Sequence, residues 1–134
     1  MSNLVMVIDD SLTVRKILEV SLKRAGLDVI AFPDGIEALQ ALTSSNLQQF
    51  PDVVILDIMM PKLNGYAFAR IIRSKPHLRH IPILMLTSCD SIISQLRGRI
   101  AGANIYMTKP FKAQDVVQTV LNCLKIAPGQ DYNL

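Results

Sequence analysis

Short, unbroken apolar runs alternate along this chain with longer stretches in which apolar residues return every three or four positions. Leu4 to Ile8 carries no polar residue. After it, Val14, Ile17, Leu18, Leu22 and Ala25 fall on one face at a helical period, and Gly26 follows where a helix usually stops. Val29 to Phe32 is a second strand-like run, closed by the turn residues Pro33-Asp34-Gly35. A helix is expected from Ile36 to Thr43, carrying Ile36, Leu39 and Leu42, and Ser44 to Pro51 reads as a polar loop. Val53 to Leu56 is a third strand, stopping at Asp57, with a turn at Pro61 to Gly65. Ala67, Phe68, Ile71 and Ile72 form the next helical face, which ends before Pro76. Ile83 to Leu86 is a fourth strand ending at Thr87, and Ser91 to Ala101 reads as a helix with Ile92, Ile93, Leu96 and Ile100 turned inward. Ile105 to Met107 is a fifth strand ending near Lys109-Pro110. The last helix, Ala113 to Lys125, is expected to bury Val116, Val117, Val120, Leu121 and Leu124.

Five strand–helix units in succession predict an α/β fold. Strands that are apolar at every position are buried on both faces, as in a doubly wound parallel sheet covered by helices on each side. Right-handed crossovers leave few topologies for it. A single domain is expected over residues 1–127, with a flexible tail from Pro128 to Leu134.

Composition narrows the class. The 134 residues suit one domain, and half of them are hydrophobic, which is material for a full core. No apolar run reaches the ~20 residues that span a bilayer, so no membrane insertion is expected. Met1-Ser2-Asn3 leads straight into an apolar run that Asp9-Asp10 interrupts too early for a secretory leader, so the expected compartment is the cytoplasm. The net charge of +3 is spread along the chain without a dense Lys/Arg cluster, which argues against direct DNA binding. Cys89 and Cys123 lack metal-ligand spacing and read as free thiols.

In a doubly wound sheet a site forms outside the carboxyl ends of the strands. Here strand one ends on Asp9-Asp10, strand three on Asp57, strand four on Thr87 and strand five at Lys109. Each residue alone has an ordinary explanation: Asp9-Asp10 as helix caps, Asp57 as a cap or turn residue, Lys109 as a solvated charge. Together they make a different pattern. Three converging carboxylates repel one another, and a hard divalent cation with oxygen ligands offsets that. Lys109 and the Thr87 hydroxyl add groups that hold phosphate oxygens. Such a site suits phosphoryl transfer, with Asp57 as nucleophile forming an aspartyl phosphate.

These residues resemble those of bacterial two-component response-regulator receiver domains. The resemblance runs from Leu4 to Ile126 and rests on Val7-Ile8-Asp9-Asp10-Ser11, Leu56-Asp57-Ile58-Met59-Met60-Pro61, Asn64-Gly65, Leu86-Thr87-Ser88 and Lys109-Pro110-Phe111. It implies the (βα)5 flavodoxin-like fold with strand order 2-1-3-4-5. It also implies that Asp57 is the phosphoacceptor, that Asp10 binds Mg²⁺ or Mn²⁺ directly and Asp9 mainly through water, and that the Met59 backbone carbonyl is a further ligand. Thr87 and Lys109 would hold the phosphoryl oxygens. Pro110 would follow a cis peptide bond, and Tyr106 would be the aromatic that swings inward on activation. The implied phosphodonor is a sensor histidine kinase, and the implied output is protein–protein contact through the fourth helix, fifth strand and fifth helix. Met59 and Cys89 stand where polar residues can orient an attacking water, so slow self-dephosphorylation is expected. Asp10-Ser11-Leu12-Thr13-Val14-Arg15-Lys16, Ile58 to Tyr66 and Gly98-Arg99-Ile100-Ala101-Gly102 look most like stand-alone receivers of type IV pilus, or twitching, motility.

Gly98 admits two readings, a soft point in a helix that must remodel or a site of close packing. Arg97 and Arg99 read either as solvated charges or as contacts for an acidic partner, and His77 and His80 as solvent-facing. A phosphatase of the haloacid dehalogenase type needs a second Asp where Met59 stands, and a nucleotide-binding loop would not be acidic. A receiver that no longer accepts phosphate, acting only as an interaction module, and the receiver part of a longer regulator remain as alternatives.

Overall fold

The structure, a computed structural model, describes residues 2–44, 47 and 49–125. Its elements alternate without exception: β1 (Leu4–Ile8), α1 (Leu12–Arg24), β2 (Asp28–Phe32), α2 (Gly35–Thr43), β3 (Val53–Leu56), α3 (Gly65–Ser74), β4 (Ile83–Thr87), α4 (Ile92–Ala101), β5 (Ile105–Thr108) and α5 (Ala113–Lys125). The expected tail and the boundary at residue 127 lie outside the described residues, as do three positions of the expected Ser44–Pro51 loop.

The strands form one parallel sheet in the order β2-β1-β3-β4-β5, as the family resemblance implied. Register is continuous: Ile8 pairs with Phe32 and Leu56, Leu56 with Met85, and Thr87 with Thr108. Val53 to Leu56 and Ile83 to Thr87 are wholly buried because β3 and β4 are covered on both faces. β2 is an edge strand and is only partly buried. Side chains alternate across the sheet. Met6, Ile8, Val54, Leu56 and Met85 pack with α2, α3 and α4, whereas Val5, Val7, Ile55, Leu84 and Leu86 pack with α1 and α5.

Each of the first four helices starts on a short polar side chain that accepts a backbone N–H. Ser11 takes Val14, Asp34 takes Glu37, Asn64 takes Ala67 and Ser91 takes Ser94. Ser11 therefore caps α1, and neither Asp9 nor Asp10 does. The periodicity of α1 was only partly a guide. Leu18 and Leu22 are fully buried and Val14 is partly so, but Ile17 is 42% exposed and Ala25 is exposed as well. In α2 the inward residues are Ala38 and Leu42, with Ile36 at the surface. In α5, Val116, Val120 and Cys123 are buried, while Val117, Leu121 and Leu124 cover the cluster from its rim.

The largest departure is α4. Ile92, Ile93, Leu96 and Ile100, expected inward, are 82%, 66%, 54% and 78% exposed. Gly98 and Ala101 face the body instead. Small residues let the helix backbone approach β4 and β5 closely, and large ones would hold it away. The helix is therefore seated with its apolar stripe toward solvent.

Candidate functional site

The parallel sheet delivers every strand's carboxyl end to one edge. There the chain leaves β1 at Asp9-Asp10, β3 at Asp57, β4 at Thr87 and β5 toward Lys109, so the four sequence-predicted strand ends do share one edge. Carboxylate oxygens of Asp9, Asp10 and Asp57 lie within 4.8 Å of one another. Asp9 and Asp57 are buried and Asp10 is exposed, so the cluster opens to water on one side.

Backbone and side-chain donors hold the two buried carboxylates. Asp57 Oδ1 accepts from the Ile58 N–H at 2.7 Å and from the Met59 N–H at 3.3 Å. Asp9 Oδ1 accepts from the Ser11 N–H at 2.9 Å. The Lys109 ammonium then donates to Asp9 Oδ2 at 2.8 Å and to Asp57 Oδ2 at 3.1 Å. The peptide bond between Lys109 and Pro110 is cis, and the Lys109 N–H donates to the Thr87 carbonyl at 2.8 Å. Burial pushes the Asp9 carboxyl up, against the opposing pull of Lys109 and the Ser11 N–H. Burial also pulls on the Lys109 ammonium, but its hydrogen bonds and charge contacts with Asp9 and Asp57 outweigh it, so its pKa is raised.

Thr87 is fully buried, and its Oγ1 accepts the Cys89 N–H at 3.3 Å. Cys89 is partly buried beside it, and its carbonyl accepts the Tyr106 hydroxyl at 2.5 Å. Tyr106 is turned inward against the core side of α4. Met59 follows Asp57 with its side chain 67% exposed, facing away from the interior.

Three groups support this arrangement, of which only the expected turn residue Gly65 was visible in the sequence. Arg15 donates to the Asp9 carbonyl at 2.6 Å, fixing the turn that carries the acidic pair, and its place in α1 offers no distinguishing pattern. Gly65 begins α3 with its N–H on the Ile58 carbonyl at 2.9 Å, so the loop after Asp57 closes on itself. Lys62 adopts a positive φ of 71° in that loop and pairs with Asp34 at 3.4 Å. The Asn64-Gly65 dipeptide was the visible signal for this tight turn.

The donor set suits a hard divalent cation. It consists of carboxylate oxygens, it is open to water at Asp10, and it places three negative charges against the single ammonium of Lys109. The cation would be held by Asp9, Asp10 and Asp57.

Fold and site together define a doubly wound protein with an acidic pocket and a lysine at the strand ends. Residues 5–121 match the family model of the response regulator receiver domain, and the chain belongs to that family. It is similar to protein PilG of Pseudomonas aeruginosa, at 38% identity over 87% of this chain and 83% of PilG. It is also similar to the alkaline phosphatase synthesis transcriptional regulatory protein PhoP of Bacillus subtilis, at 36% identity over 95% of this chain. The chain spans 52% of PhoP, and about half or less of several other curated relatives that it matches. Among solved structures, the chemotaxis response regulator CheY4 of Vibrio cholerae superposes with a TM-score of 0.83 at 30% identity, over 92% of this chain and 99% of CheY4. Among the described residues, no helix is long and apolar enough to cross a membrane.

Proposed function

We propose that this chain is a phosphorylation switch that receives a phosphoryl group from a sensor histidine kinase on Asp57 and signals by protein–protein contact. The observation that carries the reading is the Lys109 ammonium bridging Asp9 and Asp57 within a three-carboxylate cluster. One Asp57 oxygen bonds to phosphorus as the bond from phosphorus to the donor nitrogen breaks, and the electron pair leaves with that nitrogen. Lys109, already on Asp57 Oδ2, is positioned to pair the incoming phosphoryl oxygens, and the Thr87 hydroxyl is a further donor at the adjacent strand end. A Mg²⁺ or Mn²⁺ ion held by Asp9, Asp10, Asp57 and the Met59 carbonyl would supply neutralisation of the developing charge.

The output surface is the side of α4, β5 and α5. Tyr106 lines a groove of about 600 Å³ together with Gln95, Pro110, Phe111, Lys112 and Asp115, and the exposed isoleucines of α4 lie on the same helix as Gln95. An apolar ridge of this kind is what a partner surface requires. Similarity to PilG along most of both chains supports a place in pilus-based motility or taxis. A second reading, the receiver part of a longer regulator, is favoured by the span of about half of PhoP.

The test is intact mass after incubation with Mg²⁺ and acetyl phosphate, for the wild type and Asp57→Asn. A metal-dependent gain of one phosphoryl group in the wild type alone supports the switch. No gain, with no metal binding, means an interaction module. Because neither Met59 nor Cys89 orients water well, the phosphorylated protein should persist far beyond seconds, and decay within seconds refutes that point.

A further inference from the structure

Gly98 is buried on the inner face of α4. A Cβ placed there would lie 2.9 Å from Met85 Sδ and 2.9 and 3.0 Å from Cε2 and Cδ2 of Tyr106, closer than side chains pack. The Tyr106 ring thus occupies the space that any other residue at position 98 would need. The close-packing reading of Gly98 is the one the structure bears out.

Something would have to give way if a side chain were added, and the surroundings decide what. The helix is tied at several points. The Tyr66 hydroxyl donates to the Ser94 carbonyl at 3.2 Å, and the Arg97 guanidinium sits 4.4 Å above the Tyr66 ring. At the far end Arg73 donates to the Gly102 carbonyl from Nε at 3.1 Å and from Nη2 at 2.7 Å. The Gly98 carbonyl itself accepts from Gly102 and Ala103 at 3.1 and 2.9 Å, closing the helix end. Met85 is fully enclosed in the core. Tyr106 differs from all of these. It is only partly buried, it borders the open groove, and its hydroxyl is held by one bond to Cys89.

We propose that Gly98 is a positioning residue that keeps the inward place of Tyr106 open, so that a side chain at position 98 expels Tyr106 into the groove. Resting on the switch reading above, this makes Gly98 a determinant of output. With Tyr106 outward, the bond to Cys89, two residues from Thr87, is lost and the ring fills the groove that a partner would enter. The soft-helix reading predicts otherwise: alanine would stiffen α4 and leave Tyr106 where it is.

The test uses the full chain labelled with 3-fluorotyrosine and observed by fluorine NMR without any phosphodonor. Its three tyrosines make the Tyr106 signal assignable with Tyr106→Phe. In Gly98→Ala the Tyr106 resonance should move toward that of the solvent-exposed amino acid, with a larger solvent isotope shift, while Tyr66 stays put. An unchanged Tyr106 resonance in folded Gly98→Ala overturns the proposal. A thermal-melting cycle adds an independent arm. The loss caused by Gly98→Ala should disappear when Tyr106→Ala is also present, because the ring is gone and Met85 can move. A loss of equal size in both backgrounds, or a double variant that fails to fold, overturns it. Both arms are read on unphosphorylated protein, so failure of phosphoryl uptake in the mass experiment refutes the switch reading separately.

Discussion

Replacing Lys109 by Met keeps the length of the side chain and removes the charge that two carboxylates share. In the structure the Lys109 side chain is 17% exposed, and those of Asp9 and Asp57 are 4% and 7% exposed. At an effective dielectric of about 20, contacts near 3 Å carry on the order of 5 kcal/mol of attraction each, most of it offset by desolvation. Truncating one partner of a buried pair costs about 3–5 kcal/mol, because the other charge is left unpaired. Lys109 keeps some water, so a loss of about 3 kcal/mol is expected. Urea unfolding at neutral pH with divalent ions chelated measures it, and the slope should not change. The raised pKa of Lys109 means the ammonium's contribution is complete below 10.5 and fades only as pH rises through the higher folded value. The difference between wild type and variant should therefore be flat from neutral pH to pH ~9. Titrated Mg²⁺ should then stabilise the variant at least as much as the wild type, by about 2.7 kcal/mol at a hundredfold excess over its Kd. A loss below about 1 kcal/mol, the range of an exposed pair, refutes the idea that Lys109 relieves carboxylate repulsion. So does a variant that Mg²⁺ stabilises less than the wild type.

Gly65→Ala should cost roughly 1–3 kcal/mol in urea unfolding and slow phosphoryl uptake by mass, since its Cβ would sit 2.8 Å from Ile58 Cα and 3.0 Å from the Asp57 carbonyl carbon, where only backbone could yield. The Glu37 N–H, and then Lys62, hold the Asp34 carboxyl below its ordinary 3.8 despite burial, so its stabilisation is present above that pH and fades as pH falls through the folded value. Asp34→Asn should flatten the fall in melting temperature below pH ~4 while keeping the α2 cap, and an unchanged acid profile refutes it. Burial pushes the Cys123 thiol from 9.0 to about 11, so stability should decline by roughly 2–3 kcal/mol between those pH values. Cys123→Ala should lose that decline, which melting curves in alkaline buffer would show.

Strand positions were legible because β1, β3 and β4 as far as Leu86 carry only apolar residues, a pattern that two-sided burial explains. The residues gathered at the candidate site were legible for a related reason. A polar residue directly after such a run is forced to the sheet edge, as Asp9, Asp57 and Thr87 are. Helix orientation was less so. Period places Ile92, Ile93, Leu96 and Ile100 on one stripe, but it does not say which way the stripe faces. The polar contacts of Arg15, Arg73 and Tyr66 escaped as well, because each reaches a backbone carbonyl outside its own element, and any residue can present one.

The sequence by itself determined the five alternating units, the parallel sheet and the set of groups at its carboxyl edge. Those follow from local hydrophobicity, turn chemistry and chain connectivity, which act between near neighbours. Only the tertiary structure decided that Lys109 bridges Asp9 and Asp57, that Ser11 rather than the acidic pair caps α1, and that α4 turns its isoleucines to solvent. Each of these depends on which atoms meet across strands distant in sequence. For α4 the deciding contact is steric: Gly98 has no Cβ, and the space this leaves holds the ring of Tyr106.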